Sequence, residues 1–248
     1  MADRQPRLLP PEAVTRIGLI ALSTDLTIEG DARRLLPVEA ALHVTRVEYA
    51  NPTTPENLAR MQPRLAAAAG LLAHSGPFSA MGFGCTAASA VIGDKVVADA
   101  VASAGVTCPV MTPTLAARGA LADMGLTRIA LLTPYLPQTT EPMVAYFADF
   151  GIDVIKAHCL GFSDDRDMAR IAPDEVIAAA LATDHPQAEA LFLSCTALPA
   201  VPLVERIEAA LGKPVLCSNQ VLFRSLLLQA GLPMPRGFGR VFDVKGTA

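Results

Sequence analysis

Residues 15–24 read "TRIGLIALST", and 112 positions later, at 127–136, the chain reads "TRIALLTPYL". Each starts Thr-Arg-Ile and runs into an Ile/Leu segment too short for a helix and apolar enough for a buried strand. Two more landmarks recur in the same order. "MGFGCTAAS" (81–89) returns as "LFLSCTALP" (191–199), which sets Cys85 and Cys195 110 positions apart. "CPVMTPTLAARGAL" (108–121) returns as "KPVLCSNQVLFRSL" (213–226), 105 positions on. Three landmarks in one register point to an internal duplication.

Between the landmarks the pattern turns helical. "GDARRLLP" (30–37) reads as a helix and "HVTRVEY" (43–49) as a strand. Residues 55–74 read as a helix, with Pro55 in its first turn and an irregularity at Pro63. "AMGFG" (80–84) is a strand, residues 86–105 a helix ending at Gly105, and "CPVM" (108–111) another strand. Strands alternating with helices imply parallel βαβ units, so the fold class is α/β. Two such halves related by a pseudo-two-fold axis would face their strand ends across a cleft. Ligands in open α/β sheets bind beyond the carboxyl ends of the strands. Cys85 and Cys195 are therefore expected on opposite walls of one cleft, each at a strand-to-helix junction.

Bulk properties narrow the function. The 248 residues are 52% hydrophobic and carry a net charge of −4, enough apolar material for a sizeable core and no basic run for nucleic acid or an anionic membrane. Mean hydropathy is +0.38, yet no apolar run approaches the ~18 residues of a spanning helix. "MADRQPRLLPPEAVTR" (1–16) interrupts with prolines and charges the apolar core a signal peptide needs, so the expected location is the cytoplasm. Five widely spaced cysteines do not form a disulfide framework. His43, His74, His158 and His185 lack metal-ligand spacing, and neither a metal nor an organic cofactor is called for.

A cysteine at the start of a helix meets free N–H groups and the positive end of the helix dipole, which favour its thiolate and can also hold a carboxylate. Thr86 and Thr196 stand where capping hydroxyls belong and can donate to a carboxylate instead. Two opposed thiols suit proton transfer at carbon beside a carboxylate, one removing a proton from one face and the other supplying one to the opposite face. A thiolate can also add to a conjugated double bond, allow rotation and leave. Cys108, Cys159 and Cys217 lack the pairing and the junction and read as structural.

In these motifs the chain resembles the aspartate/glutamate racemase superfamily over nearly its whole length, on the branch with maleate cis-trans isomerase, arylmalonate decarboxylase and the ectoine-utilisation A protein. "LIALSTDLTIEGDARRLLP", "VTRVEYANPTTPENLARM" and "GFGCTAASAVIG" look most like the last of these. The resemblance implies two Rossmann-like lobes, residues 13–111 plus 216–248 and residues 112–215, with the site in the cleft between them. It implies Cys85 and Cys195 as the catalytic thiols, no cofactor, and a homodimer or higher homo-oligomer. Arylmalonate decarboxylases have Gly at the first thiol, so the presence of both favours racemase or isomerase chemistry. Tyr135 matches a tyrosine that donates to the substrate carboxylate, although it can also be read as an amphipathic surface residue. Maleate isomerases have Ser-Ser-Asn after the first strand. Here Ser23, Thr24 and Asp25 take those places, and Asp25 argues against maleate and for an amino acid derivative, unless it only caps the turn. Ser218 and Asn219, with Asn219 expected near the first thiol, complete the lining.

The leading expectation is a cofactor-independent racemase, epimerase or cis-trans isomerase of a small carboxylate in ectoine or hydroxyectoine breakdown. The alternatives are a decarboxylase that uses Cys195 as proton donor and a two-lobed binding protein without catalysis. Residues 51–58 and 160–173 are expected to wall the pocket.

Overall fold

The computed structural model describes residues 6–246. The first five residues of the Pro-rich leader and the last two of the expected first lobe lie outside them. β1 (Thr15–Leu22) leads to α1 (Ile28–Leu35) and β2 (Ala40–Val47), then to α2 (Pro55–Ala59) and α3 (Leu65–Ala73). β3 (Ala80–Gly84) is followed by α4 (Thr86–Ile92) and α5 (Asp94–Ala102), and β4 (Val110–Met111) by α6 (Pro113–Met124). The second half repeats the plan. β5 (Arg128–Thr133), α7 (Pro137–Asp149), β6 (Asp153–Cys159), α8 (Asp165–Met168) and α9 (Pro173–Thr183) come first. β7 (Ala190–Leu193), α10 (Val204–Leu211), β8 (Val215–Cys217) and α11 (Ser218–Ala230) complete it.

The strands form two parallel four-stranded sheets, ordered β2-β1-β3-β4 and β6-β5-β7-β8. The repeated strand order is the structural form of the duplication, and the alternating elements form the α/β fold the sequence announces. In each sheet the chain runs outward in both directions from the pair β1/β3 or β5/β7, so the crevice between those two strand ends is the topological switch point. β1 and β5 are buried along most of their length, as expected of parallel strands covered on both faces. α11 packs on α6, β3 and α1.

Two expected helices are divided. The segment 55–74 becomes α2, a 3-10 turn at Gln62–Arg64 and α3, because Pro63 cannot donate into a continuing helix. The segment 86–105 splits into α4 and α5 at Gly93, whose φ of +93° only glycine adopts without strain.

β3 lies against α1 at Gly84. A Cβ placed on Gly84 would stand 2.6 Å from Ile28 Cδ1 and 3.5 Å from the Ile20 carbonyl oxygen. Gly84→Val is therefore expected to force α1 away from the sheet and to cost about 1–3 kcal/mol, read as a lowered thermal midpoint.

Candidate active site

Four loops at the switch points converge on one cavity. Leu22 and Asp25 follow β1, Cys85 and Ala87 follow β3, Tyr135 follows β5, and Cys195, Thr196 and Ala197 follow β7. Tyr49, Thr53, Leu58 and Asp165 close its walls. Both halves thus contribute, and Cys85 and Cys195 line the same space. Its free interior, about 20 Å³, holds roughly one water molecule. Two larger surface hollows, along α4, α5 and α7 and along α8 and α9, contain no thiol.

The two thiols differ in local structure. Cys85 itself is the N-cap of α4, and its sulfur accepts from the Ala88 N–H at 3.4 Å. Cys195 does not begin a helix, contrary to the expectation of two equivalent junctions. In α4 the first turn is closed by the Ser89 N–H on the Cys85 carbonyl at 3.1 Å. Four residues after Cys195 stands Pro199, which has no N–H to give. The chain turns instead, with Cys195 at φ +127°, a conformation strained for a side-chain-bearing residue. There the nearby amides of Ala197 and Leu198 and the Tyr135 hydroxyl favour the thiolate form of its sulfur.

Neither threonine after a thiol is a cap; each ties the halves together. The Thr86 hydroxyl, at the first position of α4, donates to Ser218 Oγ at 2.7 Å. Thr196 donates to the Gly84 carbonyl at 3.1 Å. Ser218 Oγ also accepts the Cys195 N–H at 2.9 Å. Asn219 stands beside the second thiol turn rather than the first, donating at 2.8 Å to the Thr196 carbonyl and at 2.8 Å to Asp31. Ser218 and Asn219 thus stand behind the cavity, while Asp25 and Tyr135 face it. Ser23 links the ends of β1 and β2 by accepting the Tyr49 N–H at 3.0 Å. Thr24 donates to Asp165. Cys217 does sit at a strand-to-helix junction, as the N-cap of α11, and it lies outside the cavity lining.

Both expected wall segments contribute. Thr53 and Leu58 come from 51–58, and Asp165 from 160–173. Their loops are latched to each other. Asn51 donates to Asp164 at 2.8 Å and to Asp165 at 2.9 Å, and the Thr53 N–H reaches the Ser163 carbonyl at 2.7 Å. Sequence gives little signal for Asp165 or Tyr49: Tyr49 closes the expected strand 43–49, which the structure ends at Val47, and Asp165 is one of the paired acids of "FSDDRD".

Burial dominates the electrostatics. It pushes the Cys195 thiol up to about 12, against the lowering effect of Tyr135 and two amides. The Cys85 thiol is raised further, by burial first and then by Cys195, Asp165 and Asp25. Both thiols are therefore neutral in the closed cavity. Burial also raises Asp25 and the hydroxyls of Tyr49 and Tyr135.

Asp31, bonded to Asn219, is raised to about 6, mainly by burial. It binds a proton more tightly folded than unfolded, so its contribution to stability is full below about pH 4 and is lost as pH rises through 6. Asp31→Asn keeps an oxygen for Asn219 and cannot ionise. The variant is expected to be more stable than the parent by about 1–3 kcal/mol at pH 8 and equal to it at pH 4, measured by urea denaturation at both values.

Known proteins share the fold. The arylmalonate decarboxylase (Amdase) family model matches residues 50–242. A maleate isomerase of Nocardia farcinica is 30% identical over 241 residues, 92% of this chain and 95% of its own. An arylmalonate decarboxylase of Bordetella bronchiseptica is 27% identical over 54% of this chain and 58% of its own. A cysteine-to-serine variant of Nocardia farcinica maleate cis-trans isomerase, solved with a covalently bound succinylcysteine intermediate, superposes with a TM-score of 0.83 at 28% identity. That match covers 92% of this chain and 98% of the isomerase. With its two thiol-bearing turns set at the switch points of a duplicated α/β fold, this chain belongs to the arylmalonate decarboxylase family of enzymes.

Proposed function

We propose that the chain is a cofactor-independent isomerase of a small carboxylic acid, with Cys85 and Cys195 as its two catalytic thiols. The observation that carries this reading is that a cysteine from each half lines one buried cavity. Burial favours the neutral thiol at both sites, so the reaction begins when one of them gives its proton to solvent and the bound substrate holds it as the thiolate. For racemisation or epimerisation, that thiolate takes the proton from the carbon beside the carboxylate, and the opposed thiol protonates the carbanion from the other face. For cis-trans isomerisation, the thiolate adds to the double bond, the new single bond rotates, and elimination returns the thiolate. The succinylcysteine in the Nocardia farcinica isomerase is a covalent adduct of this second kind. Thr86 and Ala87 open α4 with amides that have no partner inside the helix, and with Tyr135 they are the groups we assign to the substrate carboxylate. The resemblance to ectoine-utilisation A proteins supports a place in ectoine or hydroxyectoine breakdown, and co-induction of the gene by ectoine would test it.

Cys85→Ser and Cys195→Ser are each expected to lower turnover by about 10²–10⁴-fold. On the racemase or epimerase route, solvent deuterium is expected at the substrate carbon in the parent enzyme. Full activity in either variant rejects the two-thiol mechanism.

The family match favours one further reading, decarboxylation of an arylmalonate-like acid with Cys195 as sole proton donor. On that reading Cys85→Gly keeps or gains carbon dioxide release from substituted malonates, measured by mass spectrometry. On the two-thiol reading Cys85→Gly loses the isomerase reaction.

A further inference from the structure

The cavity that holds the thiols is lined by two carboxylates, Asp25 and Asp165, and by no Lys, Arg or His among the described residues. Arg46 reaches the Asp25 loop, but its guanidinium is turned to the carbonyl oxygens of Leu22 at 2.8 Å and Asp25 at 3.0 Å, and to Glu29 at 3.1 Å. Asp25 is only 2% exposed. Its Oδ1 accepts the N–H groups of Thr27 at 2.7 Å and Ile28 at 2.9 Å, which caps the entry to α1. Its Oδ2 has no hydrogen-bond partner. The neighbouring Thr196 hydroxyl donates to the Gly84 carbonyl at 3.1 Å and also lies close enough to favour the Asp25 carboxylate. The Tyr49 hydroxyl, on a residue 5% exposed, is also unpartnered and lines the same cavity. Buried polar atoms are nearly always satisfied, so two orphans around one space mark the place of a ligand group.

We propose that the substrate carries, besides its carboxylate, a protonated amino group that seats among Asp25 Oδ2, Asp165 and the Tyr49 hydroxyl, so that the acid is a small amino acid with a free ammonium. This rests on the two-thiol reading of the cavity and names the substrate class for it. An ammonium has three N–H donors and no acceptor, and these three oxygens surround it with acceptors. Its charge offsets that of the two carboxylates, whereas a dicarboxylate would add two more negative charges with no cation to meet them. Asp165 is held at its post by Asn51 and Thr24 from the other half, so this recognition forms only when the walls are closed. The pairing also acts on the thiols. Asp25 raises both, and Asp165 raises Cys85, so a cation seated between the acids relieves part of that effect and brings a thiolate within reach.

Titration calorimetry of the full chain with 2-, 3- and 4-aminobutyrate, their N-acetyl forms and maleate tests this. NMR of deuterium uptake beside the carboxylate accompanies it. At least one free aminobutyrate is expected to bind tenfold or more tightly than its N-acetyl form and than maleate. Asp25→Asn keeps Oδ1 for the α1 amides and is expected to weaken aminobutyrate at least tenfold while strengthening maleate, an inversion that a purely structural role would not produce. Should that variant fold poorly, Tyr49→Phe, which removes only the orphan hydroxyl, is expected to weaken aminobutyrate three- to tenfold. Maleate binding more tightly than every aminobutyrate, no aminobutyrate binding at all, or aminobutyrate affinity unchanged in the well-folded variant would each overturn the proposal. The two readings fail separately. Preferential amine binding with deuterium uptake that survives both Cys→Ser changes rejects the mechanism and keeps the ammonium site. Thiol-dependent turnover of maleate, indifferent to Asp25, does the reverse.

Discussion

One oxygen ties the two halves of this molecule together behind the cavity that both thiols line. Ser218 Oγ accepts the Thr86 hydroxyl, one residue past the first thiol, and the Cys195 N–H, at the second. Ser218 is fully buried, so both donors lose water on folding and depend on this acceptor to replace it. The first turn of α4, the turn after β7 and the last helix are thereby fixed to one another beside the cavity. The remaining ties, from Thr196 to Gly84, Asn219 to Thr196 and Thr27 to Ala197, reinforce the same joint.

Duplication explains why the joint lies there. Each sheet has one switch point, and the strands flanking it deliver their carboxyl-end loops to the same crevice. Facing two such crevices gives a site built from four strand-end loops, which carry Asp25, Cys85, Tyr135 and Cys195. The sheets supply rigidity and the loops supply chemistry. The walls that exclude water come from longer connections, 51–54 and 160–165, and these are held by side-chain bonds across the halves rather than by sheet.

Much of this was legible in the residues. The recurrence of "TRIGLIAL" as "TRIALLT" carried the repeated strand order, and Cys-Thr after β3 and after β7 carried the two thiols to one place. Pro63 announced its break in a helix. Gly93 did not, since a lone glycine in a helical pattern is usually tolerated and only its φ of +93° reveals the kink. Asp25 was read as either a cap or a substrate contact. The structure gives its two oxygens separate situations, one capping α1 and one left toward the cavity. Tyr49 and Asp165 were beyond sequence reasoning for a different reason. Asp164 and Asp165 are adjacent and chemically identical, and only the packing of the 160–165 loop against Asn51 turns one outward toward Arg166 and the other inward.

The two thiols began as equivalents in a repeat and are no longer so, and Pro199 is the reason. A helix starting at Cys195 would need an N–H at that position, as Ser89 supplies for Cys85, and proline has none. The turn that replaces the helix places Cys195 at positive φ, a conformation the chain does not hold unaided. It is held by Ser218 below and by the Gly84 carbonyl and Asn219 on either side of Thr196. In return the turn brings the Ala197 and Leu198 amides and the Tyr135 hydroxyl near enough to the second sulfur to favour its thiolate, whereas the first accepts the Ala88 amide. The backbone at Cys195 thus takes its shape from contacts made by other loops. The first half alone has a thiol without an opposing partner, and the second half alone lacks the Gly84 carbonyl and the Asp31 carboxylate that steady its turn. Catalytic geometry is in this sense a property of the joint rather than of either repeat.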